Sequence, residues 1–194
     1  DATNYMLHGY GQPMHAFDLD RLDGLVAVRR ARRGEKLITL DGVERILDPE
    51  MIVIADATRA QGLAGIMGGH TSEVTAATTN VFLEIATFDP RRTRRTSRAL
   101  GLSTDASYRY ERGVPQELPA DIYAKTLGLI LSLCAGAIAG APALVTAPEV
   151  QRHRLTLRTT RVRTILGVEI PSTESARLLN AVGFDVAQIE GNLS

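Results

Sequence analysis

The stretch KLITLDGVERIL, residues 36–47, consists of two short apolar runs joined by Asp41-Gly42. An Asp-Gly pair between two such runs is a strong signal for a β-hairpin, because the tight turn needs residues that tolerate a positive φ. Similar strand-like runs, rich in β-branched and apolar residues, flank the hairpin: LVAVRR (25–30), MIVIAD (51–56) and NVFLEIATF (80–88). This part of the chain is therefore predicted to consist of short β-strands.

Helix signals follow the last of these strands. Asp89-Pro90 is typical of a helix N-terminus, with the acid as N-cap and proline at the first helical position. The predicted helix ends near Gly101, and Ser103 or Asp105 is a candidate cap for a further short helix. The sequence thus predicts an α+β fold, in which mixed β structure packs against helices.

Residues 118–135 have the length and apolar spacing of a buried helix. The run is shorter than a membrane span and is followed by glycines, so we expect a core helix and no membrane association. Cys134, the single cysteine, excludes an internal disulfide, and we expect it to be a small buried residue.

The overall composition is that of a globular protein. The 194 residues are 44% hydrophobic and 23% charged, and their formal net charge is zero. Any contact with nucleic acid must therefore come from a local patch of charge. We expect a cytoplasmic location, and because the chain opens on Asp1 rather than Met, we expect a fragment of a longer protein.

The composition shifts near Gln151, which predicts two domains, 1–150 and 151–194. Proline-punctuated residues before the boundary are expected to form a last strand and a linker. The tail holds one strand-like run, two helical runs (the second capped by Ser172 or Thr173) and the start of another strand. This is too small a core to stand well alone. We therefore expect a small α/β tail that is the truncated front part of a second domain.

The segment QGLAGIMGGH, residues 61–70, is rich in glycine and is predicted to be a loop. A phosphate-binding Walker loop requires a Lys followed by Ser or Thr, and here the glycines are followed by His70 and Thr71. The glycine spacing does not match the dinucleotide-binding pattern either. The small and apolar neighbours of the glycines instead suit the wall of an apolar pocket.

Two titratable residues are candidates for a functional site. His15 lies in a segment shaped by Gly11 and Pro13, where it is either oriented at the edge of a cleft or satisfied by nearby backbone. Glu84 lies inside a predicted strand, and is either a solvated outward-facing residue or a charge placed in a pocket. A buried carboxylate is costly without partners, so an inward-facing Glu84 would be functional.

The remaining chemistry-bearing residues are less specific. The four histidines have no metal-ligand spacing, and no Ser, Cys or Thr lies in a nucleophile motif. Arg91, Arg94, Arg95 and Arg98 form one helical stripe. That stripe is either a solvated face or a contact for a phosphate backbone.

Five stretches occur in the order found in one family: TNYMLHGYGQPMHAFDLDRL (3–22), ITLDGVERIL (38–47), GLAGIMGGHTSEV (62–74), FLEIATFDP (82–90) and GLSTDASYRYERG (101–113). Together they resemble the editing domain of the beta subunit of bacterial phenylalanine–tRNA ligases. The tail, with TILGVEI (164–170) and LLNAVGFDV (178–186), resembles the start of the small domain that follows it.

The resemblance implies a place in a heterotetramer of two alpha and two beta subunits that acts on the phenylalanine-specific tRNA. The alpha subunit of such enzymes holds ATP, phenylalanine and magnesium, so we expect no cofactor in this fragment. The beta-subunit domain hydrolyses tyrosine wrongly attached to that tRNA, in a pocket between two α+β halves. A non-catalytic scaffold that binds tRNA or another subunit, with a vestigial pocket, is the alternative.

The same resemblance implies roles for seven residues. His15 matches a histidine near the ester, and Glu84 matches the acid that recognises the tyrosine hydroxyl. The other five match residues that bound the pocket of the amino-acid moiety: Asn4 at the mouth, Gly65 and Gly68 on one wall, and Thr104 and Ala106 on the other. The family also has an upstream arginine near the ester, which this chain does not include.

Overall fold

A computed structural model describes residues 1–145, 153–189 and 192–193 of the chain. It divides into two compact units, Asp1–Ala141 and Pro142–Ser194. The boundary predicted at residues 150 and 151 lies outside the described residues.

The first unit combines helices with antiparallel strands, which confirms the predicted α+β class. Its helices are α1 (Ala2–Tyr10), α2 (Pro90–Leu100), α3 (Asp105–Tyr110) and α4 (Leu118–Leu133). Its strands are β1 (Met14–Asp18), β2 (Ala27–Arg30), β3 (Lys36–Ile38), β4 (Glu44–Ile46), β5 (Ile52–Ala55), β6 (Ala60–Leu63), β7 (Met67–Gly68) and β8 (Val81–Ile85).

Three antiparallel sheets position the rest of this unit. One has four strands in the order β2-β5-β6-β7, and the other two are the β3–β4 hairpin and the β1–β8 ribbon. The hairpin turns at Asp41-Gly42, as the sequence predicts, with Gly42 at φ 77°. The five predicted strands are confirmed, whereas α1 and β1 were not predicted.

The prediction of a loop over residues 61–70 is wrong in part, because β6 and β7 form a short hairpin there. All four residues of β6 are buried, so the strand shows no alternation of apolar and polar residues. Gly62 is paired with Gly68, and a Cβ at Gly62 would lie 3.3 Å from the Gly68 Cα. The glycines therefore serve the close approach of two strands.

Strands β5 and β6 of the four-stranded sheet are buried on both faces. Val53 and Leu63 join a cluster that also holds Leu37 and Leu47 from the β3–β4 side. Ile54 points the other way and packs with Phe17 of the ribbon and with Ala64. Because successive side chains of a strand alternate between faces, β5 links two separate cores.

The ends of α2 and the start of α3 follow local capping signals, although the predicted cap of α3 is wrong. Asp89 caps α2 by accepting a hydrogen bond from the Arg92 N–H, and Gly101 ends the helix at φ 62°, as predicted. Thr104, rather than Ser103 or Asp105, caps α3 in a capping box with Ser107. A reciprocal pair of side-chain and backbone hydrogen bonds outweighs either predicted cap.

The prediction that residues 118–135 form a buried helix is correct in extent and wrong in burial. Helix α4 buries only Ile122 and Thr126, and Leu133 is 66% exposed. Cys134 is exposed as well, contrary to expectation. The helix contacts α1, and its exposed large apolar side chains are Leu131 and Leu133 near its C-terminal end.

The second unit holds α5 (Thr159–Leu166), α6 (Ser172–Ala181) and three two-residue strands, β9 (Leu157–Arg158), β10 (Gln188–Ile189) and β11 (Asn192–Leu193). The strands pair antiparallel in the order β10-β11-β9. The N-cap of α6 is Pro171, not Ser172 or Thr173. Residues 136–145 form no strand, and the rest of the strand and linker predicted before residue 151 lies outside the described residues.

Within the described residues, none of the helices is long and apolar enough to cross a membrane.

Candidate functional site

A cavity lies within the first unit, where the β1–β8 ribbon meets strands β5 to β7 and helix α3. It is a half-open cavity whose empty space, counted together with solvent at its mouth, amounts to about 400 Å³. Most of its lining is apolar, with Ile54, Leu63 and Met67 from the four-stranded sheet and Phe88 after β8. The polar side chains in the lining are His15, Glu84 and Tyr110.

His15 and Glu84 are direct partners in the antiparallel register of β1 and β8. Residues opposite each other in such a ribbon project from the same face, so both side chains enter the cavity together. The interpretation of Glu84 as a solvated outward-facing residue is therefore wrong. The face of β8 that carries Glu84 is covered by the sheet and α3.

The environment of the cavity disfavours charge on both side chains. Burial raises the pKa of the Glu84 carboxyl to about 7, from an ordinary value of 4.5. Burial also lowers the pKa of the His15 imidazole below 6.5. No Lys or Arg is among the described residues of the lining, so Glu84 has no cation beside it to offset its desolvation.

The His15 ring is held edge-on to Phe17, with ring centroids 4.5 Å apart. Its Nε2 atom is buried and has no hydrogen-bond partner within the described residues. A Cβ at Gly68 would overlap Nε2 and Cε1 of this ring. Only glycine at position 68 therefore lets the imidazole lie where it does.

Gly65 is the turn residue between β6 and β7, with φ +69°. A Cβ there would lie 2.9 Å from ring atoms of both Phe88 and Tyr110. Both predicted glycines line the cavity. The rings that pack on them in this structure are the protein's own.

Of the other predicted site residues, Ala106 lines the cavity and Thr104 lies behind it. The Thr104 hydroxyl donates to the Ile66 carbonyl oxygen at 2.9 Å and also accepts the Ser107 N–H. These bonds fasten the start of α3 to the β6–β7 turn. Thr104 thus supports the wall that Ala106 forms.

Asn4 does not join the others. It lies in α1, is exposed, and bonds to the N-cap residue Asp1 through both its backbone N–H and its side-chain amide. It is not among the residues that line the cavity.

Sequence reasoning missed Tyr110, Phe88 and Gln12. Tyr110 follows Ala106 by one helical turn on α3, a spacing that places both on one face. That spacing is the signal that could have identified Tyr110. Phe88 and Gln12 carry no comparable local signal, because their roles depend on contacts with α3 and with the ribbon end.

The described lining of the cavity has no alcohol or thiol nucleophile, and the described residues form no metal site. The lining contains no Ser, Thr or Cys. No group of three or more His, Cys, Asp or Glu residues in the described ranges is arranged to hold a metal ion.

The arginine face of α2 comprises Arg91, Arg94 and Arg98, which are exposed and make no ion pair with the described residues. The predicted stripe also included Arg95. That residue shares Glu50 with Arg30 and Arg92, at 3.3 to 3.5 Å. One carboxylate serves three guanidinium groups, so this surface keeps a local excess of positive charge.

The chain is similar in sequence to known proteins. The family model described as "B3/4 domain" matches residues 1–135. The chain is 44% identical over 190 residues to the phenylalanine–tRNA ligase beta subunit of Pseudomonas fluorescens (strain Pf0-1), covering 96% of the chain and 24% of that protein. It is 47% identical over 189 residues to the same subunit of Moorella thermoacetica, covering 96% and 23%.

Among solved structures, an N-terminal fragment of the phenylalanyl-tRNA synthetase beta subunit from Pyrococcus horikoshii matches 98% of the chain and 56% of its own length, at 14% identity and a TM-score of 0.45. The chain spans about a quarter of the length of the curated relatives it matches. On the family match over residues 1–135, the chain belongs to the B3/4 domain family, and over almost its whole length it is similar to a segment of phenylalanine–tRNA ligase beta subunits.

Proposed function

We propose that the cavity receives the tyrosine of a Tyr-tRNA mischarged on the phenylalanine-specific tRNA, and that the ester is hydrolysed there. The observation that carries this proposal is Glu84, a carboxylate at the wall of an apolar cavity with no cation beside it. Such a group is costly to bury unless a ligand supplies a partner. A phenol hydroxyl is a donor that an apolar ring can carry to that depth.

Glu84 also provides the basis for rejecting phenylalanine. A hydrogen bond to a charged group contributes about 1.5–3 kcal/mol, and a ligand without the hydroxyl leaves the carboxylate unpaired. Sites built around such a polar contact can discriminate by about 10⁴-fold. Tyrosine and phenylalanine differ by that single hydroxyl.

His15 is placed to act on the ester or its water. Burial keeps its imidazole neutral, so Nε2 can accept or donate one hydrogen bond according to its tautomer. An aminoacyl ester is already activated, so a positioned water, helped by a ribose hydroxyl of the tRNA, suffices as nucleophile. His15 now covers Gly68, so a ligand ring that uses the Gly68 backbone requires the imidazole to rotate away.

In the proposal, the whole enzyme assembles two alpha and two beta subunits in the cytoplasm around the phenylalanine-specific tRNA. ATP and magnesium belong to the alpha subunit. The residues of this chain do not fit them, since it has neither a phosphate-binding lysine motif nor a carboxylate cluster among the described residues. No step of the proposed hydrolysis involves them.

Calorimetric titration of the chain with L-tyrosine and with L-phenylalanine tests the proposal, together with deacylation of Tyr-tRNA by the complete ligase. We expect tyrosine to bind more tightly, and Glu84→Gln to reduce that difference. Glu73→Gln is the matched control, because Glu73 is a partly exposed glutamate paired with His70. Equal or absent binding of both amino acids would overturn the proposal and favour the scaffold alternative.

A further inference from the structure

Two backbone carbonyls at the end of the β1–β8 ribbon receive their hydrogen bonds from side chains. The ladder ends at the pair Met14 and Ile85. The next residues along the two strands are Pro13 and Ala86. Proline has no N–H, so it cannot extend the ladder to the Ala86 carbonyl.

Gln12 supplies donors at this point. Its Nε2 donates to the Pro13 carbonyl oxygen at 2.7 Å and to the Ala86 carbonyl oxygen at 2.9 Å. Gln12 is fully buried, so both carbonyls would lose hydrogen bonds that no water replaces if this amide were absent.

Tyr110 of α3 reaches the same two carbonyls. Its hydroxyl lies 2.8 Å from the Ala86 oxygen and 3.1 Å from the Pro13 oxygen, and 3.5 Å from Gln12 Nε2. The hydroxyl carries one proton and so donates to one carbonyl at a time. Tyr110 and Gln12 together clamp the two strands where the ladder stops.

The clamp lies next to the polar residues of the cavity. Ala86 is two residues from Glu84, and Pro13 is two residues from His15, so each clamped carbonyl belongs to the strand end that carries a cavity side chain. The Tyr110 ring also packs on Gly65 and meets Phe88 edge-on, with centroids 5.1 Å apart. The helix that holds the clamp is fastened to the β6–β7 turn by Thr104.

We propose that Tyr110 and Gln12 are positioning residues, which hold the ribbon end so that Glu84 and His15 face the cavity together. This inference rests on the proposed function, because its consequence is the preference for tyrosine over phenylalanine. Without the clamp the ribbon end is free to splay, and the Glu84 carboxylate loses its fixed distance from the ligand ring.

Tyr110→Phe tests the inference, since it removes the hydroxyl and keeps the ring on Gly65. Tyr108→Phe is the matched control, because Tyr108 lies on the same helix, is exposed, and has its ring under Arg112. We expect Tyr110→Phe to lower the tyrosine-to-phenylalanine affinity ratio about three- to ten-fold, the equivalent of one hydrogen bond. The control should stay within about twofold of wild type.

Tyrosine binding should change with pH as the Glu84 carboxyl titrates. A residue that only stabilises the fold would leave the midpoint of this pH dependence unchanged. The midpoint should shift in Tyr110→Phe. Gln12→Leu, of similar volume, is a second variant that removes both amide donors and should act in the same direction. Binding is measured at low temperature, where a destabilised variant stays folded, and circular dichroism checks the folding of each variant.

The inference is overturned if the folded variants keep both the affinity ratio and the pH midpoint of wild type while only their melting temperatures fall. A wild-type chain without any preference for tyrosine would instead refute the proposed function, and this inference with it. The two failures are therefore distinguishable in one set of titrations.

Discussion

His15 lies directly opposite Glu84 in the antiparallel register of the β1–β8 ribbon, and both side chains line one cavity. Burial raises the pKa of the acid and lowers that of the base. Near neutral pH the imidazole is therefore neutral and the carboxyl is about half ionised, because the apolar cavity disfavours charge on both groups. The cavity is thus able to accept an aromatic ring while keeping one acceptor and one neutral imidazole at its wall.

Removing the Glu84 carboxyl should reduce discrimination from both directions. Glu84→Ala loses the acceptor for the tyrosine hydroxyl and also the unpaired carboxylate that penalises phenylalanine. Glu84→Gln keeps the shape and one acceptor, so its preference for tyrosine should fall without vanishing. Deacylation of Tyr-tRNA and Phe-tRNA by the complete ligase measures the ratio. An unchanged ratio in Glu84→Ala means that Glu84 has no part in recognition.

The raised pKa of Glu84 should make stability fall as pH rises. The folded state holds the proton up to about pH 7 and the unfolded chain only to about 4.5. The contribution of the Glu84 carboxyl to the free energy of unfolding is complete below pH 4.5 and is lost as pH rises through 7. The total loss is about 3 kcal/mol. His15 acts in the opposite sense, since its lowered pKa costs stability as pH falls below 6.5.

Urea unfolding of wild type and Glu84→Gln from pH 5 to 8 measures this slope. We expect the variant to lose the decline that wild type shows toward pH 8, whereas Glu73→Gln keeps it. If the free energy of unfolding changes with pH in the same way in wild type and Glu84→Gln, the Glu84 carboxyl is not desolvated in solution.

The contact between Gly68 and the His15 ring predicts a coupled pair of substitutions. A methyl group at Gly68 would overlap the imidazole, which must then leave its position. Gly68→Ala should therefore slow deacylation of Tyr-tRNA at least as much as His15→Ala. In a His15→Ala background Gly68→Ala should have little further effect. Additive losses in the double variant would show that the two residues act independently.

Gly65→Ala should destabilise the fold more than a simple change of backbone conformation does. An L-residue at positive φ costs about 1–2 kcal/mol, and here the new methyl group would also crowd Phe88 and Tyr110. Gly42→Ala is the control, because Gly42 has a similar φ of +77° and open space around it. Thermal unfolding should show the larger loss for Gly65→Ala, and equal losses would contradict the packing at this turn.

The proposed function includes an RNA partner. The arginine face of α2 should contribute a salt-sensitive part of the affinity for that RNA. Arg91→Gln, Arg94→Gln and Arg98→Gln together should flatten the slope of log K against log salt by about 0.7–0.9 per lost phosphate contact. The same change at Arg32, Arg33 and Arg59, exposed arginines elsewhere, is the matched control. An unchanged slope would assign the face to solvent or to an acidic protein surface.

Local sequence determined the elements whose signals lie within a few residues. Asp41-Gly42 specified the hairpin, and Asp89, Pro90 and Gly101 specified both ends of α2. Such turns and caps depend on a residue's own φ preference and on hydrogen bonds to its neighbours along the chain, so they can be predicted without the fold. Local sequence also made His15 and Glu84 candidates for a functional site, and the family resemblance then implied a role for each.

Only the tertiary structure decided how these parts make a site. The pattern of β8 could not show which face of the strand is covered, since both faces carry apolar side chains, and so it left the position of Glu84 open. The clamp joins Tyr110 to Pro13 across 97 residues of sequence. Local sequence likewise could not place Thr104 behind the cavity wall or keep Asn4 at the surface. Contacts of this range depend on strand register and helix packing, which local propensity does not encode.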